Sequence, residues 1–250
     1  MKIDLIQDIP FGTNIQSIKV PEVLKKRIST GINYFDAVIG GEGFTPSMVT
    51  LFTGTPGAGK TTMMLNLANS LQGHGAQVVF NTAEESLHQV KMTCDRLKLR
   101  NEFMVGGLDN VQELLKGCDK IRESHSDRPF FLIIDSLQCM SDGYFKSGRI
   151  TSATAERSLQ LLTSYAKEHA VNIIVIGQVT KDGKMAGSNK LKHMVDSHIH
   201  LSVEQKDDDL RGCRVIETKK NRFGGCGHTV FLRLRKNGFT EVARLTASGI

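Results

Sequence analysis

Gly54, Thr55, Pro56, Gly57, Ala58, Gly59, Lys60, Thr61 and Thr62 place glycines, a lysine and a hydroxyl at the spacing that cradles a polyphosphate. Glycine lets the backbone turn its N–H groups toward an anion. Lys60 is then expected to reach the β- and γ-phosphates, and Thr61 to hold Mg²⁺. A helix starting near Thr61 would add the positive end of its dipole to the same anion. A glycine-rich turn with no ligand is the plain alternative. The apolar run from Met48 to Phe52 before the motif and the helical pattern after it make that alternative the weaker one.

Further candidates follow other apolar runs. Asp135 ends the run that begins at Phe130, where a buried strand would show its carboxylate only at the sheet edge. Its expected role is support of Mg²⁺ beside Thr61. Glu84 and Glu85 follow the run from Val78 to Asn81, and one of them, Glu84 first, is placed to orient and deprotonate a water. The competing use is N-terminal charge on a helix starting at Ser86. Gln178 follows Gly177 at the end of another apolar run, and its amide could read the γ-phosphate or its water. Lys220 and Arg222, one residue apart on a strand-like segment, would project to one face, with the fork geometry of Arg222 suited to phosphate. By itself that pair reads as a solvated charge run.

The elements that must position these groups alternate. The pattern predicts strands over 77–81, 130–134 and 172–176, and helices over 61–72, 86–97, 110–123 and 154–169. This is an α/β chain with a mostly parallel sheet flanked by helices. In the last helix Leu159, Leu161, Leu162 and Tyr165 are expected to form a core face. Segments 198–203, 213–218, 230–235 and 239–242 read as C-terminal antiparallel strands, with Lys236, Asn237 and Gly238 as a hairpin turn in which Asn-Gly suits positive φ. Asp207, Asp208 and Asp209 read as the solvated tip of a hairpin rather than a metal site. Residues 1–26 read as an N-terminal arm and 27–250 as one domain, with Ser29 or Thr30 available to cap the first helix.

Bulk composition narrows the class. In 250 residues, 40% are hydrophobic, enough for one large core, and no run is apolar long enough to span a membrane. The five cysteines are odd in number, scattered, and lack a C-x-x-C pair, which points to a reducing cytoplasm and away from disulfides or zinc. The net charge of +6 permits a polyanionic partner without requiring one.

Taken together, these motifs resemble the ATPase core of the RadA/Sms family, a RecA-like P-loop group related to KaiC and DnaB-type helicases. The resemblance covers residues 27–242. It is carried by Arg27 to Ile32, Gly40 and Gly41, Thr82 to Glu85, Ile134 to Gln138, Val179 to Gly183, His193 to Asp196, and Lys220 to Gly224. It implies ATP bound at the seam between identical subunits of a hexameric ring or filament. Lys220 and Arg222 would then act as a finger in the neighbour's site. It also implies two loops, 138–152 and 179–193, that hold single-stranded DNA. Lys146 and Arg149 would serve in the first loop, and Lys181, Lys184, Lys190 and Lys192 in the second, with Tyr144 or Phe145 for stacking and Gly183 and Gly187 for flexibility.

Two departures stand out. The family's four-cysteine zinc module and Lon-protease-like domain have no counterpart in these residues, and Gln178 stands where the family usually has His. The expected function is a DNA-stimulated ATPase of the RecA/RadA class, possessing ATP and Mg²⁺ as cofactors, a motor on single-stranded DNA in recombination, repair or replication. The alternatives are a KaiC-like signalling ATPase without a nucleic-acid role and an ATP-clamped DNA-binding filament with little turnover.

Overall fold

The computed structural model describes residues 9–124, 127–144, 150–178, 190–226 and 228–246. Its centre is a nine-stranded sheet in the order β3-β2-β4-β5-β1-β6-β7-β8-β9. The strands are β1 (Val49–Gly54), β2 (Gln77–Thr82), β3 (Met104–Gly106), β4 (Phe130–Asp135), β5 (Asn172–Gln178), β6 (Ser197–Val203), β7 (Arg214–Asn221), β8 (His228–Arg235) and β9 (Gly238–Thr246). Every residue of β1, β2 and β4 is buried. Both faces of these strands are covered, which is why they read in sequence as unbroken apolar runs.

The helices are α1 (Glu22–Lys25), α2 (Asn33–Val38), α3 (Lys60–Gly73), α4 (Leu87–Leu97), α5 (Val111–Ser124), α6 (Ser152–His169) and α7 (Lys190–Met194). On one face of the sheet, Phe35, Met63, Leu67 and Val90 from α2, α3 and α4 pack on Phe52, Phe80, Phe131 and Ile176. On the other, Val111, Leu114, Leu159, Leu162 and Leu191 from α5, α6 and α7 pack on Leu51, Val79, Leu132 and Val175. Alternate residues of each strand serve opposite cores, as the period of two requires. Two capping boxes start helices: Ser86 with Gln89 at α4, and Thr151 with Thr154 at α6.

Several expectations are corrected. Segment 198–203 is not simply antiparallel: β6 pairs parallel with β1 and antiparallel with β7, so it is the hinge between the two sheet halves. β3 is an edge strand of three residues, too short to show a period in the sequence. Neither Ser29 nor Thr30 caps α2, whose N-cap is Ile32. Instead Asp36, inside that helix, accepts from Ser29 Oγ at 2.6 Å and from the Thr30 N–H at 2.9 Å. Leu161 lies on the exposed side of α6, while Leu159, Leu162 and Tyr165 are buried. At the β8–β9 hairpin, positive φ falls on Gly238 and not on Asn237. The run Asp207 to Asp209 is exposed between β6 and β7. Among the arm residues, Ile9, Phe11, Ile15 and Val20 are all exposed.

Candidate nucleotide site

The four parallel strands β1, β2, β4 and β5 end at one sheet edge, and the candidate groups follow those ends. The phosphate loop leaves β1 at Gly54 and enters α3 at Lys60, with Gly59 as N-cap in the left-handed region at φ 100°. Gly59 offers no side-chain cap, so the first-turn N–H groups of α3 suit an anion. A Cβ on Gly59 would also sit 3.0 Å from the Phe239 ring. Gly54 is required by close approach rather than by φ, because a Cβ there would lie 2.5 Å from the Leu201 carbonyl of β6. Lys60 Nζ donates to the carbonyl of Gly54 at 3.1 Å, inside the curve of its own loop.

Thr61 and Asp135 meet: Thr61 Oγ1 donates to Asp135 Oδ2 at 2.6 Å. Burial pushes the Asp135 carboxyl up to about 6; the Thr61 hydrogen bond and Lys60 oppose this, and Glu84 and Glu85 add to it. Burial likewise holds the Lys60 ammonium below its ordinary value, against Asp135 and Glu84. A hydroxyl and a buried, cation-seeking carboxylate form a hard oxygen donor set, which fits Mg²⁺.

Glu84 and Gln178 also meet, across neighbouring strand ends. Gln178 Nε2 donates to Glu84 Oε2 at 3.1 Å, and the Gln178 backbone N–H donates to Gln138 Oε1 at 3.1 Å. Glu84 is exposed at the turn after β2, ahead of α4. Thr82 shapes that turn, accepting from the Glu85 N–H at 2.9 Å. Helix α4 is capped by Ser86 and Gln89, and Glu84 and Glu85 precede its N-cap rather than lying in its first turn.

Lys220 and Arg222 are not brought to this edge. β7 runs antiparallel to β6, and the Arg222 N–H donates to the Asp196 carbonyl, level with Val49 at the far end of β1. At ~3.3 Å per residue that is roughly 16 Å from Gly54. A register shift opposite His198 and Ile199 pairs Lys220 with His198 and Thr218 with Ile199, leaving Lys219 as the extra residue. This bulge turns Lys220 to the α7 side of the sheet.

Of the candidate DNA contacts, Lys146, Arg149, Lys181 and Lys184 lie outside the described residues, as do Phe145, Gly183 and Gly187. Lys190 pairs with Glu156 of α6 at 2.9 Å. Lys192 is half-buried. The Tyr144 ring is exposed, with the Arg157 guanidinium 4.8 Å from its centroid.

Sequence reasoning missed residues that brace the site. Arg214 Nε donates to the Ala58 carbonyl at 3.4 Å, tying the C-terminal strands to the phosphate loop. Thr53 Oγ1 lies 2.8 Å from both His198 Nε2 and His200 Nδ1. Burial pulls the His198 imidazole down to about 4, helped by Lys192, His200, Lys219 and Lys220. Nothing in the spacing of Arg214 marks it, whereas two histidines two residues apart on a strand-like segment are a visible signal.

The model of the KaiC ATPase family matches residues 28–104. The DNA repair protein RadA of Bacillus subtilis is 29% identical over 237 residues, covering 95% of this chain and 49% of that protein. RadA of Escherichia coli is 34% identical over 223 residues, covering 88% of this chain and 46% of its own length. The chain is thus similar to RadA over most of its own length, and to the KaiC ATPase family within residues 28–104. It spans about half the length of these curated relatives. A solved DnaB-like replicative helicase shares the fold at a TM-score of 0.75 and 16% identity, over 86% of this chain and 62% of the helicase. The parallel sheet with C-terminal antiparallel strands is the architecture that the motifs implied.

Proposed function

We propose that this RadA-like core hydrolyses ATP at a site completed by a second copy of itself, and that hydrolysis is coupled to single-stranded DNA. The protein would be a ring or filament motor in recombination, repair or replication, in the cytoplasm. One observation carries the reading: Lys60, the Thr61–Asp135 pair and the Glu84–Gln178 pair converge on one sheet edge, while the candidate finger lies at the other.

The backbone of Gly54 to Gly59 and the dipole of α3 bind the phosphates, and Lys60 and Thr62 lie at the start of that helix to orient them. Mg²⁺, held by Thr61 and Asp135, would supply charge neutralisation when bound. Glu84 accepts a proton from water as the water oxygen bonds to the γ-phosphorus and the bond to the β–γ bridging oxygen breaks, leaving ADP and phosphate. Gln178 holds Glu84 and begins the segment that leads to the second basic loop, so a change at the γ-phosphate would move that loop. Arg222 of a second copy stabilises the developing charge directly, and Lys220 adds its positive charge from the carbonyls that hold it. Lysines in the two loops would hold the DNA backbone without sequence preference.

The test is ATP turnover with and without single-stranded DNA at two salt concentrations. DNA stimulation lost at high salt is the expected result. Indifference to DNA would favour a KaiC-like signalling ATPase, and DNA binding without turnover an ATP clamp.

A further inference from the structure

Lys220 and Arg222 both close on the short stretch that joins α7 to β6. Lys220 Nζ donates to the carbonyls of Lys192 at 3.0 Å, His193 at 3.3 Å and Val195 at 2.7 Å. Three carbonyls at a helix end suit an ammonium. Arg222 Nη2 donates to the same His193 carbonyl at 3.3 Å, and Nη1 to Asp196 Oδ1 at 3.1 Å.

Asp196 is only 4% exposed, yet its carboxylate serves two elements. Oδ2 accepts the Val49 N–H at 3.1 Å, while Oδ1 takes Arg222. Its backbone is held as well, the N–H donating to the Val49 carbonyl at 2.9 Å and the carbonyl accepting the Arg222 N–H at 3.0 Å. Asp196 is thus bolted to β1, in the middle of the sheet, and offers one oxygen outward to a guanidinium that is half exposed. An exposed Arg has large rotamer freedom, and a fixed carboxylate removes much of it. Two of its five N–H donors are engaged in these side-chain contacts, so the others keep their capacity for phosphate oxygens.

We propose that Asp196 is the positioning residue for Arg222, aiming it, with Lys220 on the α7 carbonyls, at the nucleotide of a second copy. This rests on the shared-site reading above. Asp196 touches no reacting atom. Its effect must pass through Arg222 and appear in the neighbour's site, not in its own.

The experiment mixes subunits. Asp196→Asn retains an oxygen for the Val49 N–H but puts an NH₂ where Arg222 needs an acceptor. Lys60→Ala removes a subunit's own phosphate grip and leaves its finger intact. Alone, each variant should lose DNA-stimulated turnover, Asp196→Asn by about a hundredfold, with ATP binding by Asp196→Asn unchanged. Mixed, they should regain activity, because a Lys60→Ala finger now faces an Asp196→Asn site. A parallel mixture of Arg222→Ala with Lys60→Ala separates the two levels of the proposal. If that mixture recovers and the Asp196→Asn mixture does not, Asp196 acts on its own chain through Val49 and the positioning role is overturned. If neither recovers, the shared-site reading falls first. Full activity of Asp196→Asn alone would also overturn the role. Should Asp196→Asn fail to fold, Asp196→Glu, which keeps the charge but shifts the anchoring oxygen, is mixed in its place and read by the same outcomes.

Discussion

The two ends of the sheet hold their charged groups in opposite ways. At the phosphate edge, the carboxylates of Asp135 and Glu84 accept hydrogen bonds from Thr61 and Gln178, and the ammonium of Lys60 donates to a carbonyl of its own loop. Burial disfavours the charged forms of Asp135 and Lys60, as suits groups that await a ligand. At the far edge, Lys220 and Arg222 are fixed by carbonyls and by a buried carboxylate of the same chain. One edge is arranged to receive charge and the other to hold charge ready. Under the shared-site proposal, two such edges on one sheet would meet in a head-to-tail assembly, which generates rings or filaments.

Substitutions at the two edges should separate binding from turnover. Arg222→Ala should lower DNA-stimulated turnover by about a thousandfold or more while ATP binding persists. Lys60→Ala should weaken ATP binding itself, measured by fluorescent-nucleotide titration. Equal loss of binding in both would erase the contrast between the edges. Glu84→Gln should cost about a hundredfold or more in turnover, again with nucleotide bound. Gln178→Ala should cost about tenfold, since it holds Glu84 through a single bond, and should reduce the ratio of DNA-stimulated to basal rate.

Two stability measurements sharpen the comparison further. Gly54→Ala should destabilise by about 1–3 kcal/mol in denaturant melts, because β6 leaves no room for a methyl group. The second measurement is the effect of pH on the strand joining the edges. The folded pKa of His198 is depressed, so the unfolded chain binds the proton first as pH falls. Stability contributed by keeping it neutral is present above about 6.5 and declines toward about 4, at a slope approaching 1.4 kcal/mol per pH unit at most, from roughly the usual His value. His198→Gln should flatten that slope in melts at stepped pH. An unchanged slope would mean that other groups set the acid limit.

Much of the phosphate edge was legible because each of its groups follows a strand buried on both faces. Phe130 to Asp135 can be read as strand and terminal acid without knowing its neighbours. The caps of α2 were not legible, because Asp36 answers Ser29 and Thr30 from inside the helix, a bond that spacing alone does not rank above a conventional cap. The edge strand β3 is too short for its pattern to register.

Residue types and local spacing determined the phosphate loop, the parallel half of the sheet and the acids at its strand ends, since these depend on periodicity and on bonds within a few residues. Tertiary structure alone decided that β6 turns from parallel to antiparallel pairing, that a bulge at Lys219 aims Lys220 toward α7, and that Asp196 faces Arg222. Those outcomes depend on register between strands far apart in the chain, and a shift of one residue there reverses the face of every side chain beyond it.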